Sequence, residues 1–243
     1  MKATVFFTPQ EVDGAVLVDQ TVVVIDVLRA SSTIVAALAA GAQAIYPVVS
    51  TEDAIKLVTS LGRDEALLAG ERKGLKVEGF DLGNSPREFT PETVGGKRIV
   101  MSTTNGTRAL VAAEAGERVL VGSFLNLSAV ARAVAGAERL TVVCAGRDGR
   151  FAIDDALCAG MLLARLTEQG GGPPELDDGG RAALALAGAF AADTGFLTGT
   201  AAGRALVDVG LGEDIAWCAR VDAHALVPRL ADRMIRRGDD GQA

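Results

Sequence analysis

Three times along this chain a β-branched run gives way to a polar loop and then to a helical stretch. No other feature limits the fold as much. In the first unit, residues 21–26 read as a buried strand, 27–33 as a loop and 34–40 as a helix that Gly41 stops. Residues 44–49 form the next strand. Ser50 or Thr51 then caps a helix over 52–61, which ends at Gly62. The pattern returns about 75 residues later, with a strand over 98–102, a loop over 103–107, a helix over 108–115 and a strand over 118–121. A looser third copy has a strand over 140–144, a loop over 145–150 and a helix over 154–166. Such repetition predicts an α/β fold, a three-layer α/β/α arrangement with a largely parallel or mixed central sheet. Ligands bind such sheets beyond the carboxyl ends of the strands, so all three polar loops are expected at that edge.

Residues 69–97 show little periodicity and many turn formers. Their Leu75, Val77, Phe80, Leu82 and Phe89 favour an ordered loop folded over a site. The Gly- and Pro-rich run within 168–180 reads as a flexible surface connection. Helix-rich sequence follows through Met234, and the polar tail 236–243 is expected to fray. No composition shift divides the chain, so a single domain over 1–243 is expected.

The net charge of −7 argues against a nucleic-acid binder, which needs a basic face, and against an anionic lipid surface. Apolar stretches break well before 18 residues, and Met1 to Val5 runs into a strand-like segment without signal-peptide anatomy. Cys144, Cys158 and Cys218 are too few for a disulfide framework, and the single His224, read as a surface or boundary residue, excludes a His-rich metal site. A cytoplasmic protein is expected, and the sequence leaves a homo-oligomer open. Arginine outnumbers lysine 19 to 5. Arginine suits phosphate and sulfonate, but the chain is also rich in Ala and Gly. Only arginines in loops beside other polar groups therefore count here.

The first loop sets Asp26 at a strand end with Arg29, Ser31, Ser32 and Thr33 leading into a helix, whose free N–H groups attract phosphate. Ser31 as an N-cap and Asp26 as a capping carboxylate read equally well. The second loop, Thr103-Thr104-Asn105-Gly106-Thr107, offers hydroxyls, an amide and a turn able to nest an anion, without Walker spacing. Gly70-Glu71-Arg72 and Asp154-Asp155 add carboxylates. Mg²⁺ takes oxygen ligands, so Asp26, Glu71, Asp154 and Asp155 would suit it if the fold gathers them. Carboxylates and anion donors at one edge suggest metal-assisted handling of a small phosphorylated substrate. Two other readings compete: a non-catalytic binder of phosphorylated metabolites, and a cysteine phosphatase using Cys144, which precedes Arg150 with the Cys-x5-Arg spacing. Chance produces that spacing easily, and Asp148 inside the loop would repel a phosphate.

Taken in order, several segments resemble the 2-phosphosulfolactate phosphatase family. They are Asp26-Val27-Leu28-Arg29-Ala30-Ser31-Ser32-Thr33, Gly70-Glu71-Arg72, Gly79-Phe80-Asp81-Leu82-Gly83-Asn84-Ser85-Pro86, Thr103-Thr104-Asn105-Gly106-Thr107, Gly122-Ser123-Phe124-Leu125-Asn126, and Cys144-Ala145-Gly146 with Asp154-Asp155 and Cys158-Ala159-Gly160, with a weaker match through Gly210 to Cys218 and Val227-Pro228. The resemblance implies Mg²⁺-dependent hydrolysis of 2-phosphosulfolactate, or a related phosphorylated hydroxy acid, to sulfolactate and phosphate in a route to coenzyme M. It implies Asp26, Glu71 and Asp155, with Asp154, as the metal ligands. Asp26, Arg29, Glu71 and Asp155 would be the catalytic set. Arg29 and the second loop, Thr103 to Thr107, would cradle the phosphoryl oxygens. Arg72 or Arg147 would hold the sulfonate or carboxylate, and Ser31, Asn84, Ser85, Ser123 and Asn126 would line the same rim.

Overall fold

A computed structural model describes residues 1–168 and 172–238. Eleven strands form one sheet: β1 (Lys2–Phe6), β2 (Thr21–Ile25), β3 (Ala44–Pro47), β4 (Ala66–Arg72), β5 (Leu75–Lys76), β6 (Arg98–Ser102), β7 (Arg118–Gly122), β8 (Arg139–Cys144), β9 (Glu175–Leu176), β10 (Pro228–Ala231) and β11 (Met234–Arg237). The helices are α1 (Gly14–Leu17), α2 (Ala30–Ala39), α3 (Thr51–Leu61), α4 (Pro91–Val94), α5 (Gly106–Ala112), α6 (Leu127–Val134), α7 (Ile153–Leu166), α8 (Asp178–Ala189), α9 (Thr194–Gly199), α10 (Ala201–Asp208) and α11 (Glu213–Cys218). This is the expected α/β fold, with a mixed and mostly parallel sheet.

The strand order is β5-β4-β6-β3-β11-β10-β7-β2-β8-β1-β9. It contains two parallel blocks, β4-β6-β3 and β7-β2-β8-β1-β9. Between them lies the antiparallel hairpin β10–β11, which pairs with β7 at Arg229–Leu120 and Leu230–Val119 and with β3 at Ile235–Ile45. Three successive antiparallel pairings separate the blocks, so they run in opposite senses along the sheet. This corrects the expectation that the three polar loops share one edge. The loops after β2 and β8 lie at the carboxyl end of one block, and those after β4 and β6 at the carboxyl end of the other.

The core explains how these ends still meet. In β2, Val23 and Ile25 face one core with α6 and α7, while Val22 and Val24 face another with α2 and α5. This second core also takes Ile45 of β3, Ile99 and Met101 of β6, and Ile235 of β11. Both blocks thus pack on α2 and α5, and α3 covers the outer side of β4 and β6 through Ala54 and Val58. Helices α7 and α8 approach very closely at Gly160, where an added Cβ would sit 1.9 Å from the Ala183 carbonyl oxygen. Gly160→Ala is expected to cost about 1–3 kcal/mol of stability, read as a lower denaturation midpoint.

Several local expectations are corrected. Helices α2 and α5 begin earlier than the hydrophobic pattern indicates, because a strand-end side chain seals each first turn. Asp26 Oδ1 accepts from Ala30 N at 3.1 Å, and Thr103 Oγ1 accepts from Thr107 N at 3.1 Å. Residues 69–72, the start of the expected irregular stretch, belong to strand β4, held by pairing with β6. The helix-rich reading through Met234 fails at 228–234, where the central hairpin lies, and Arg236 and Arg237 belong to β11 rather than to a frayed tail. Within the connection expected around 168–180, β9 and the start of α8 are ordered elements. Residues 169–171 and 239–243 of the two expected segments lie outside the described residues. Among the described residues no helix is long and apolar enough to cross a membrane.

Candidate active site

A cavity of about 570 Å³ opens where the loops of both blocks converge. The β2–α2 connection gives it Asp26, Leu28 and Arg29, the end of β4 gives Glu71 and Arg72, and the β4–β5 turn gives Lys73 and Gly74. The loop before α5 adds Thr104 and Asn105, the loop after β8 adds Arg147 and Asp148, and Asn84 completes the polar lining. Ala202, Ala205 and Leu206 of α10 form an apolar wall.

Two carboxylates hold the loops in matching ways. Asp155 accepts from Val27 N at 2.8 Å and from Gly146 N at 3.0 Å. Glu71 accepts from Thr104 N at 2.7 Å and from Gly74 N at 2.8 Å, and its Oε2 also accepts from Thr104 Oγ1 at 3.2 Å. Val27 follows Asp26 as Thr104 follows Thr103, so each clamp grips the same place in its own strand–loop–helix unit. Between the clamps the first turns of α2 and α5 touch. A Cβ on Gly106 would lie 2.4 Å from Ala30 Cβ and 2.7 Å from Asp26 Oδ2.

The acids crowd one another. Burial above all, then the charges of Asp154 and Glu71, pushes Asp26 up to about 7, against the pull of the Ala30 N–H and of Arg29. Burial raises Asp154 to about 6, while its own backbone N–H and Arg147 pull it down. Burial, with the charges of Asp154 and Asp26, holds Asp155 well above the usual carboxylate range despite its two N–H donors. A carboxyl with a raised folded pKa binds more protons in the folded than in the unfolded state, so stability falls as pH rises from about 4 to about 7. Metal-free protein is therefore expected to melt at a lower temperature at pH 8 than at pH 5, as thermal scans in chelator would show. A flat or rising profile would contradict the crowding.

The cations are held differently from one another. Arg29 donates to Asp214 Oδ2 and to the Gly74 carbonyl, both at 2.7 Å. Arg72 donates to the carbonyls of Glu71, Ser102 and Val49 and to Ser102 Oγ, bracing β4 against β6. Arg147 lies 3.8 Å from Asp148, whose N–H donates to Asn105 Oδ1 at 3.1 Å.

Of the residues expected at a site, Asp26, Arg29, Glu71, Arg72, Asn84, Thr104, Asn105 and Arg147 line this cavity. Asp154 and Asp155 are buried beside it, in the first turn of α7. Ser31, Ser85, Thr103, Gly106, Thr107, Ser123 and Asn126 do not line it. Ser31 Oγ accepts from Asp26 N, Ser85 Oγ donates to Asp214, and Thr103 and Thr107 bond each other. Ser123 and Asn126 form a buried capping box that also ties the Val121 and Leu226 carbonyls. Gly106 is the contact point of α2 and α5. Sequence reading missed Lys73, Gly74, Asp148, Asp214 and the α10 wall. Asp214 carried a faint signal, as a carboxylate beside the apolar run Ile215-Ala216-Trp217-Cys218.

The cysteine mechanism meets a physical obstacle. Cys144 is fully buried and does not line the cavity, and burial, with the Asp155 charge, raises its thiol well above the usual range. A nucleophilic thiolate needs the opposite.

An α/β protein whose strand-end loops gather arginines, a lysine and crowded carboxylates around one cleft belongs to the class that handles small anionic ligands. Comparison with known proteins narrows this class. The family model for 2-phosphosulpholactate phosphatase matches residues 6–233. A protein of Caldanaerobacter subterraneus subsp. tengcongensis named "Probable 2-phosphosulfolactate phosphatase" is 42% identical over 234 residues, 92% of this chain and 93% of that protein. Another of the same name from Thermus thermophilus is 43% identical over 216 residues, 88% of this chain and 89% of its own. A third, from Clostridium acetobutylicum, is 37% identical over 233 residues, 96% of this chain and 98% of its own. The chain belongs to the 2-phosphosulfolactate phosphatase family.

Proposed function

We propose that this protein hydrolyses 2-phosphosulfolactate, or a closely related phosphorylated hydroxy acid, to the free hydroxy acid and inorganic phosphate, with Mg²⁺ as cofactor and within coenzyme M biosynthesis. The observation that carries the reading is the cleft itself. One wall holds Asp26 between the starts of two helices, and Arg29, Arg72, Lys73 and Arg147 surround it. A substrate with a phosphate and a second anionic group matches four cations better than a neutral metabolite does.

The crowded acids bear on the metal. Asp26 and Asp154 are both raised by burial, and the Asp154 charge adds to the rise at Asp26. A divalent cation relieves such repulsion, and the donors are all oxygen. Among the described residues no group of three or more His, Cys, Asp or Glu side chains is arranged to hold an ion. Glu71 and Asp155 have both oxygens engaged with backbone N–H groups. We therefore assign the metal to Asp26 and Asp154, with Glu71 and Asp155 shaping the loops around them. Mg²⁺ commonly takes one or two carboxylates and completes its shell with water and substrate phosphate. When bound it would neutralise the phosphoryl oxygens and so favour attack on phosphorus.

The chain's own groups do the rest. Arg29 and the Thr104–Asn105 stretch grip the phosphoryl oxygens, Arg147 and Lys73 face the second anionic group, and the α10 wall excludes water from one side. The P–O bond to the hydroxy acid breaks as an oxygen from water, or from Asp26 in a first step followed by water, bonds to phosphorus. The leaving alkoxide takes a proton. Phosphate trapped covalently on the protein, with retention at a chiral phosphorus, marks the Asp26 route, and inversion without a trapped phospho-enzyme marks direct attack by water.

The test is direct. Pure protein, 2-phosphosulfolactate and Mg²⁺ should release phosphate, and a chelator should stop it. No metal-dependent release from that compound, or from a panel of phosphorylated hydroxy acids, rejects the reading. Mg²⁺ should also raise the melting temperature more at pH 8 than at pH 5, where Asp26 and Asp154 carry protons.

A further inference from the structure

Asp214 lies in the first turn of α11, 185 residues after Arg29, and is fully buried. Its Oδ2 accepts from Arg29 Nη1 at 2.7 Å and its Oδ1 accepts from Ser85 Oγ at 2.7 Å. Asp214 does not line the cavity, whereas Arg29 does. The Gly74 carbonyl takes Nη2 of the same guanidinium at 2.7 Å. Two acceptors on different nitrogens fix the plane of this rigid group, and three of its five N–H donors are left for a ligand. A buried ion pair adds little net stability over apolar packing, so its worth here lies in orientation. The pair also joins the carboxyl end of β2 to the helical segment that supplies the α10 wall.

We propose that Asp214, braced by Ser85, is a positioning residue that aims the Arg29 guanidinium at the bound phosphoryl group. This rests on the phosphatase reading given above. Phosphoryl transfer depends on placement, and a misplacement of about 1 Å can cost on the order of 100-fold in rate.

The experiment is a double-mutant cycle on the full chain with 2-phosphosulfolactate and Mg²⁺. Asp214→Asn should lower kcat/KM by about 100-fold, with most of the loss in kcat. In an Arg29→Ala background the same change should cost less than about threefold, because the group it aims is gone. Ser85→Ala keeps the charge balance and serves if Asp214→Asn fails to fold. It should cost about threefold to tenfold with Arg29 present and nothing without it. Equal losses in both backgrounds, or a folded Asp214→Asn with wild-type kcat/KM, would overturn the assignment. If the unmutated protein releases no phosphate, the phosphatase reading fails first. Protection of the same variants by inorganic phosphate in thermal scans then decides the pairing. Loss of protection in Asp214→Asn, with no further loss when Arg29→Ala is added, supports it, and full protection in Asp214→Asn overturns it.

Discussion

Asp26→Asn should lower kcat for phosphate release by about 1,000-fold or more while the folded protein becomes more stable at pH 8. The two effects have one origin. Asparagine keeps the shape and an oxygen for the Ala30 N–H, so the first turn of α2 stays sealed. It removes a charge that burial, Asp154 and Glu71 all oppose. A variant that melts later at pH 8, no longer gains stability from Mg²⁺ and releases no phosphate would tie the crowded acids to the chemistry. Near-wild-type turnover would remove Asp26 from the site. A large loss of stability would mean that Asp26 serves the fold alone.

Gly106→Ala is the second large effect, and it acts through contact rather than charge. The new methyl group would meet Ala30 Cβ at 2.4 Å and Asp26 Oδ2 at 2.7 Å. Neither neighbour can yield without moving the start of α2 or the carboxylate. Activity should fall at least 100-fold, and stability should drop by about 1–3 kcal/mol. Gly136→Ala is the control, since nothing lies within 4 Å of its added Cβ. A Gly106→Ala enzyme with ordinary kcat and an unchanged denaturation midpoint would contradict the close approach of α2 and α5.

Strand–loop–helix periodicity made the α/β class legible, and residues 98–102 are β6 in full because a short β-branched run between turns has few other readings. The carboxyl ends of strands were the right places to look, and Asp26, Arg29, Glu71 and Thr104 line one cavity. Pairing was not legible. Residues 228–237 alternate weakly and carry several charges, so nothing local marks them as central strands. Their place follows from the gap between β3 and β7, a property of the assembled sheet. Nor does sequence separate a hydroxyl that faces a ligand from one that closes a turn. Thr104 lines the cavity and Thr103 does not, because Thr103 sits one register back and bonds Thr107. Asp214 escaped because its partner lies far away in the chain.

The position of the β10–β11 hairpin bears on how the molecule is made. Both blocks depend on a segment that leaves the ribosome after all the other described strands. Until residue 228 emerges, β3 and β7 present unpaired backbone toward each other, the kind of surface on which nascent chains stick together. Protein shortened by ten or so residues before its described end should therefore be lost to inclusion bodies rather than made with a slightly altered pocket.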